Sequence, residues 1–128
     1  MQFASPQSIS TPVLTCCCPR LPLPDRPPLS ATDADEVARL FTVLANGSRL
    51  RLLHVLVRAD ELSVTNLAEA VGMSPQAVSN QLQRLTDRGI LASRRAGTSI
   101  LYRIVDPCVI ALLNHGLCLA EDARERQK

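Results

Sequence analysis

Aromatic residues are nearly missing from this 128-residue chain: it has no Trp, one Tyr and two Phe, although 46% of its residues are hydrophobic. A core without rings has to be filled by Leu, Val, Ile and Ala, which points to packed helices. Also missing is any run near the ~18 consecutive apolar residues that span a bilayer. The first thirty residues have neither the basic start nor the apolar stretch of a secretory signal. A cytoplasmic protein with no membrane partner is therefore expected. The length is that of one ordinary domain, which excludes a two-domain enzyme. No phosphate-cradling glycine loop, nucleophile elbow or paired-carboxylate pattern occurs, so neither catalysis nor an organic cofactor has support.

Net charge of one sign is scarce too, with 14 Lys and Arg against 12 Asp and Glu. Its distribution is more informative. Residues 72–105 hold Arg84, Arg88, Arg94, Arg95 and Arg103 against Asp87 alone, whereas residues 31–61 hold four Arg against five acids. Five cysteines cannot all pair, and a reducing compartment keeps thiols free, so reactive or metal-binding thiols become the question.

Seven of the nine prolines fall within residues 1–28, beside the run Cys16-Cys17-Cys18. Residues 1–30 read as a flexible arm, residues 31–122 as the ordered domain and residues 123–128 as a charged tail. Ser30 or Thr32 can cap a first helix that opens on Asp33, Asp35 and Glu36 and carries Val37, Leu40, Phe41 and Leu44 at helical spacing. Asn46-Gly47 interrupts it. A second helix covers Arg49 to Val57, with Leu50, Leu53, Val55, Leu56 and Val57 as its apolar residues, and a third covers Val64 to Val71. Gly72 stops the third helix. Ser74 then caps a fourth, with Pro75 at the first helical position, where its missing N–H does no harm. The fourth helix runs to about Arg88 and buries Val78, Leu82 and Leu85. Ile90 to Arg95 and Ser99 to Ile104 read as two strands about an Ala96-Gly97 turn. A last helix begins near Pro107. The fold class is mainly α with a small β-hairpin: a winged helix-turn-helix of five helices and a two-stranded wing.

The third helix, the Gly72 turn and the fourth helix have the spacing of a helix-turn-helix whose second helix reads DNA. With Val78, Leu82 and Leu85 inward, Gln76, Ser79, Asn80, Gln83 and Arg84 lie on or near the outer face, with Ser74 at its start. Such side chains donate to and accept from base edges and phosphates. Arg94 and Arg95, in the hairpin that follows, suit phosphates. Double-stranded DNA is the implied partner.

The phrases LFTVLANGSRLRLLHVL, VGMSPQAVSNQLQRLTDRGIL and SRRAGTSILYRI, in this order, resemble the ArsR/SmtB family of metal-responsive winged-helix repressors over roughly residues 33–122. The resemblance implies a homodimer joined by the first and last helices, with reading helices in successive major grooves of a palindromic operator and release when an inducer binds. Some members bind inducer with two thiols in the third helix, but here the matching positions are Ser63 and Thr65. Others use an Asp and a His at the start of the last helix and a His and an acid near its end. Here those places hold Asp106, Cys108, Leu119 and Asp122, a set unsuited to a hard oxygen and nitrogen site.

Thiolate remains. Cys108 and Cys118 are ten residues apart, ~15 Å along a helix and ~80° out of phase, so one helix cannot bring both to one ion. Cys16, Cys17 and Cys18 of the arm can complete a site with the last helix of either subunit. Two or three sulfurs suit Hg(II), Cd(II), Pb(II) or trivalent arsenic. The run DPCVIALLNHGLCLAED is similar to the last helix of mercury-resistance repressors, which puts Hg(II) first. His115, three residues before Cys118, shares its face and can assist a soft metal. His54, in an apolar helix, reads as a core or interface residue. A thiol-disulfide redox repressor of the same fold is the alternative reading, and a small thiol enzyme a remote one.

Overall fold

The computed structural model describes residues 20–127, and the greater part of the Pro- and Cys-rich arm lies outside them. Of the arm's described part, Leu23–Asp25 form one 3-10 turn. The chain divides into two compact units, with residues 22–105 forming one and residues 106 onward contributing a single helix to the other.

Within the first unit, helix boundaries follow local chemistry. Helix α1 (Ala31–Leu44) starts where the Ser30 hydroxyl accepts the Asp33 N–H at 3.0 Å. Asn46 does the same for Arg49 at 3.1 Å, and α2 (Gly47–Ala59) follows. A two-residue strand β1 (Leu62–Ser63) leads into α3 (Val64–Val71), which Gly72 ends in the left-handed region at φ +69°. An L side chain is strained there, so glycine suits the position. Ser74 caps α4 (Pro75–Asp87) through the Ala77 N–H at 3.1 Å. Strands β2 (Leu91–Ala96) and β3 (Ser99–Ile104) form the hairpin. The sheet order is β1-β3-β2, antiparallel throughout, with Leu62 opposite Tyr102, Arg94 opposite Leu101 and Arg95 opposite Ile100.

The core of this unit is aliphatic: Leu52, Leu53 and Leu56 of α2, Leu67, Ala68 and Val71 of α3, Val78, Leu82 and Leu85 of α4, then Ile90 and Leu91. Among the described residues no polar or charged side chain is buried. Helix α3 packs on α2 and on β1 and β3, and α4 packs on α3 and β2.

In the second unit, α5 (Pro107–Arg126) is capped by Asp106, whose carboxylate accepts the Cys108 N–H at 2.9 Å. Val109 is its one buried residue, and its helix continues into the charged tail.

Several expectations change. The hairpin gains β1 as a third strand. In α2, Leu52 is fully buried, whereas Leu50, Val55 and Val57 are only half-buried. His54 is exposed and so is not a core residue. The apolar stripe of α1 is uncovered in the single chain, with Val37 39% and Phe41 48% exposed. Helix α5 is likewise uncovered at Leu112 and Leu117.

Leu82, fully buried on α4, supplies the stability test. Leu82→Ala should cost about 2–5 kcal/mol and Ser74→Ala about 1 kcal/mol by urea denaturation at fixed protein concentration. A Leu82 variant as stable as the parent would mean that α4 is not seated on this core.

Candidate nucleic-acid interface and thiol positions

Helix α4 turns Val78, Leu82 and Leu85 inward, which leaves Gln76, Asn80, Gln83 and Arg84 exposed and Ser79 half-buried. The outward amides are ordered along the helix. Gln76 Nε2 donates to Asn80 Oδ1 at 3.1 Å, and Gln83 Nε2 donates to Asp87 Oδ1 at 2.9 Å, both between neighbours one turn apart. That first bond leaves the Asn80 amide N–H groups and the Gln76 side-chain carbonyl, a donor and an acceptor of the kind that reads an adenine edge, on the exposed face.

Sequence reasoning missed what buttresses this helix. Arg49 donates through Nε to Gln81 Oε1 of α4 and through Nη1 to the Val43 carbonyl of α1 at 2.8 Å, tying three helices together. Arg84 and Arg88 share with Arg49, Val43 and Asp87 a shallow groove of about 220 Å³ beside the helix. A signal existed in the Asn46 to Arg49 spacing of the α2 cap, but nothing in the sequence paired Arg49 with Gln81, 32 residues away.

The two hairpin arginines differ. Arg94 Nε and Nη2 donate to the two carboxylate oxygens of Glu61, each at 2.8 Å, and Arg103 Nε lies 3.9 Å from the same group. Arg95 is exposed on the other face of β2. The Arg94 hydrogen bond, the largest influence, holds the Glu61 carboxyl below its ordinary range.

Cys108 is half-buried at the start of α5, while Cys118 and His115 are exposed further along it. Among the described residues no three His, Cys, Asp or Glu side chains gather as a metal site would require. Cys16, Cys17 and Cys18 lie outside the described residues.

A capped helix, a glycine turn, a second helix with a polar outer face and an arginine-bearing hairpin define a winged helix-turn-helix DNA-binding protein. A helix-turn-helix domain profile matches residues 44–94. The chain is 43% identical to the transcriptional regulator NmtR of Mycobacterium tuberculosis over 94 residues, covering 73% of this chain and 78% of that protein. It is 37% identical, over 71% of this chain and 72% of the other, to a protein of Streptomyces lividans named "Probable mercury resistance operon repressor". The crystal structure of the antimony-specific transcriptional repressor AntR superposes with a TM-score of 0.72 at 58% identity, over 85% of this chain and 98% of the other. A homodimeric winged helix-turn-helix domain from Mycobacterium bovis, solved by NMR, matches at a TM-score of 0.63 and 35% identity, over 76% and 92%. The chain belongs to the ArsR/SmtB family of metal-responsive transcriptional repressors, and it is a regulator, not an enzyme.

The lowered Glu61 value sets a pH expectation. A carboxylate with a depressed folded value stabilises the fold at neutral pH, and that contribution is lost as pH falls through the depressed value. The side-chain carboxyl carbon of Glu61 should titrate by NMR with a midpoint below the ordinary 4.5, and the Arg94 and Arg103 amide shifts should move with it. A midpoint at or above 4.5 would mean that the pair does not persist in solution.

Proposed function

We propose that this chain is a homodimeric cytoplasmic repressor that leaves its operator when a soft, thiophilic ion binds cysteine thiolates of the arm and of α5. In this reading Gln76, Ser79, Asn80 and Gln83 meet base edges from α4, Ser74 and Arg84 meet phosphate at its two ends, and the hairpin adds arginine contacts. Cys108 pairs with arm thiols drawn from Cys16, Cys17 and Cys18, and Cys118 and His115 stand as further donors. The apolar faces of α1 and α5, uncovered in one chain, are the surfaces a second copy would bury. The homodimeric Mycobacterium bovis domain supports that arrangement by likeness.

One observation carries the inducer class: the chain has five thiols, and four of the five stand in the arm or at the start of α5. Sulfur donors favour soft ions over Mg, Mn or Ca. Within that class we place a trivalent metalloid, Sb(III) or As(III), ahead of the Hg(II) that the α5 segment brings forward. Three thiolates balance its charge, and the 58% identity to an antimony-specific repressor supports the order.

Two outcomes test the reading. Asn80→Ala combined with Ser79→Ala should weaken operator binding by about 1–3 kcal/mol per lost base contact and relax sequence preference. Operator affinity equal to the parent's would mean that α4 is not the reading helix. For the switch, Sb(III) added without oxygen should release the operator and raise thiolate-to-metal absorption at two ions per dimer. Cys108→Ser, or removal of residues 1–28, should keep DNA binding and lose release. Release that needs an oxidant instead favours the disulfide mechanism, and a truncated dimer that still responds would place the site wholly on α5.

A further inference from the structure

Arg94 and Arg95 are adjacent in sequence, yet strand geometry sends their side chains to opposite faces of the hairpin. Arg94 faces Glu61, which precedes β1 at the far edge of the three-stranded sheet. By the register, Arg103 of β3 stands beside Glu61, and Arg94 lies one same-face step further along β2, so the carboxylate bridges both strands of the hairpin. Both nitrogens of the Arg94 fork are used, each at 2.8 Å. This is the geometry by which a guanidinium takes a phosphate, and here the carboxylate fills it. Arg95 instead lies opposite the apolar Ile100, and both are exposed.

The backbone that delivers Glu61 is special as well. Asp60 has φ +71° and ψ −62°, and it is the one non-glycine residue with positive φ among the described residues. The Glu61 N–H donates to the Ala59 carbonyl at 2.8 Å, which closes a three-residue γ-turn directly off the end of α2. Turns of this hand are rare and strained, and they persist where the surroundings hold them. The bidentate contact one residue later is such a hold.

We propose that Glu61 is the positioning residue of the DNA-contacting hairpin: it fixes the hairpin to the end of α2 through Arg94, withdraws Arg94 from phosphate contact and leaves Arg95 as the arginine that meets the DNA backbone. This rests on the reading that the hairpin lies against operator DNA. It also revises the expectation that Arg94 and Arg95 serve alike.

The test is the salt dependence of operator binding by the full-length dimer, since each phosphate contact contributes about one to the slope of log K against log salt. Arg95→Ala should flatten the slope by about one per subunit. Arg94→Gln and Glu61→Gln should each lower affinity about three- to tenfold with the slope unchanged, and the double variant should lose no more than either alone. That non-additivity is a readout that general loss of folding would not give. A flatter slope in Arg94→Gln, or tighter binding with a steeper slope in Glu61→Gln, would make Glu61 a competitor of phosphate and overturn the proposal. A parental slope in both arginine variants would overturn it differently, by taking the hairpin off the DNA.

Discussion

The polar outer face of the helix-turn-helix depends on the seating of α4 by Val78, Leu82 and Leu85, all three fully buried. Each such side chain contributes roughly 1.5–3 kcal/mol on leaving water. Burial has no direction, however, and an aliphatic core without rings or buried polar groups leaves a helix free to slide or rotate by small amounts. Direction comes from polar contacts at the edges of the core. Gly72 and Ser74 fix where α4 begins, and Arg49 holds its middle through Gln81 while gripping the Val43 carbonyl. The result is a polar face of defined orientation on an interior that specifies little by itself.

The same division explains which parts of the molecule could be read from the sequence. Helices α3 and α4 are legible because glycine, serine and proline punctuate them and because a 3.6-residue period runs cleanly through each. Helix α2 is apolar at nearly every position from Leu50 to Val57, so its period does not choose between Leu52 and Leu50. Tertiary packing chooses. On α1 and α5 the apolar stripes are real, but a stripe reveals only that something covers it, and Val37, Phe41, Leu112 and Leu117 are uncovered in a single chain. The outward amides of α4 follow directly from helix phase, whereas Glu61 and Arg94, 33 residues apart, meet only because a two-residue strand joins the sheet. A strand of that length leaves no periodic trace.

Strain and surface charge meet at the turn after α2. A positive φ at a non-glycine residue costs on the order of 1–3 kcal/mol, and an exposed ion pair ordinarily returns about 1 kcal/mol or less. Glu61 faces two arginines, one of them bidentate, and both guanidinium groups are more than half exposed. The hairpin is therefore tied to the end of α2 by a contact near enough to solvent to respond to salt and acid.

All five cysteines lie outside residues 22–105, the unit that contains α4 and the hairpin. On the proposed function, then, no inducer–thiolate bond can form inside that unit. Energetics points the same way. Coupling between an inducer and DNA of about 1–3 kcal/mol accounts for affinity changes of roughly 5- to 150-fold. Unseating α4 would return Val78, Leu82 and Leu85 to water at roughly 1.5–3 kcal/mol each, more than such coupling supplies. On the proposed function a thiophilic ion therefore leaves the interior of each such unit intact and changes how two units are presented to DNA, with α4 held in place by the polar contacts at the edge of the core.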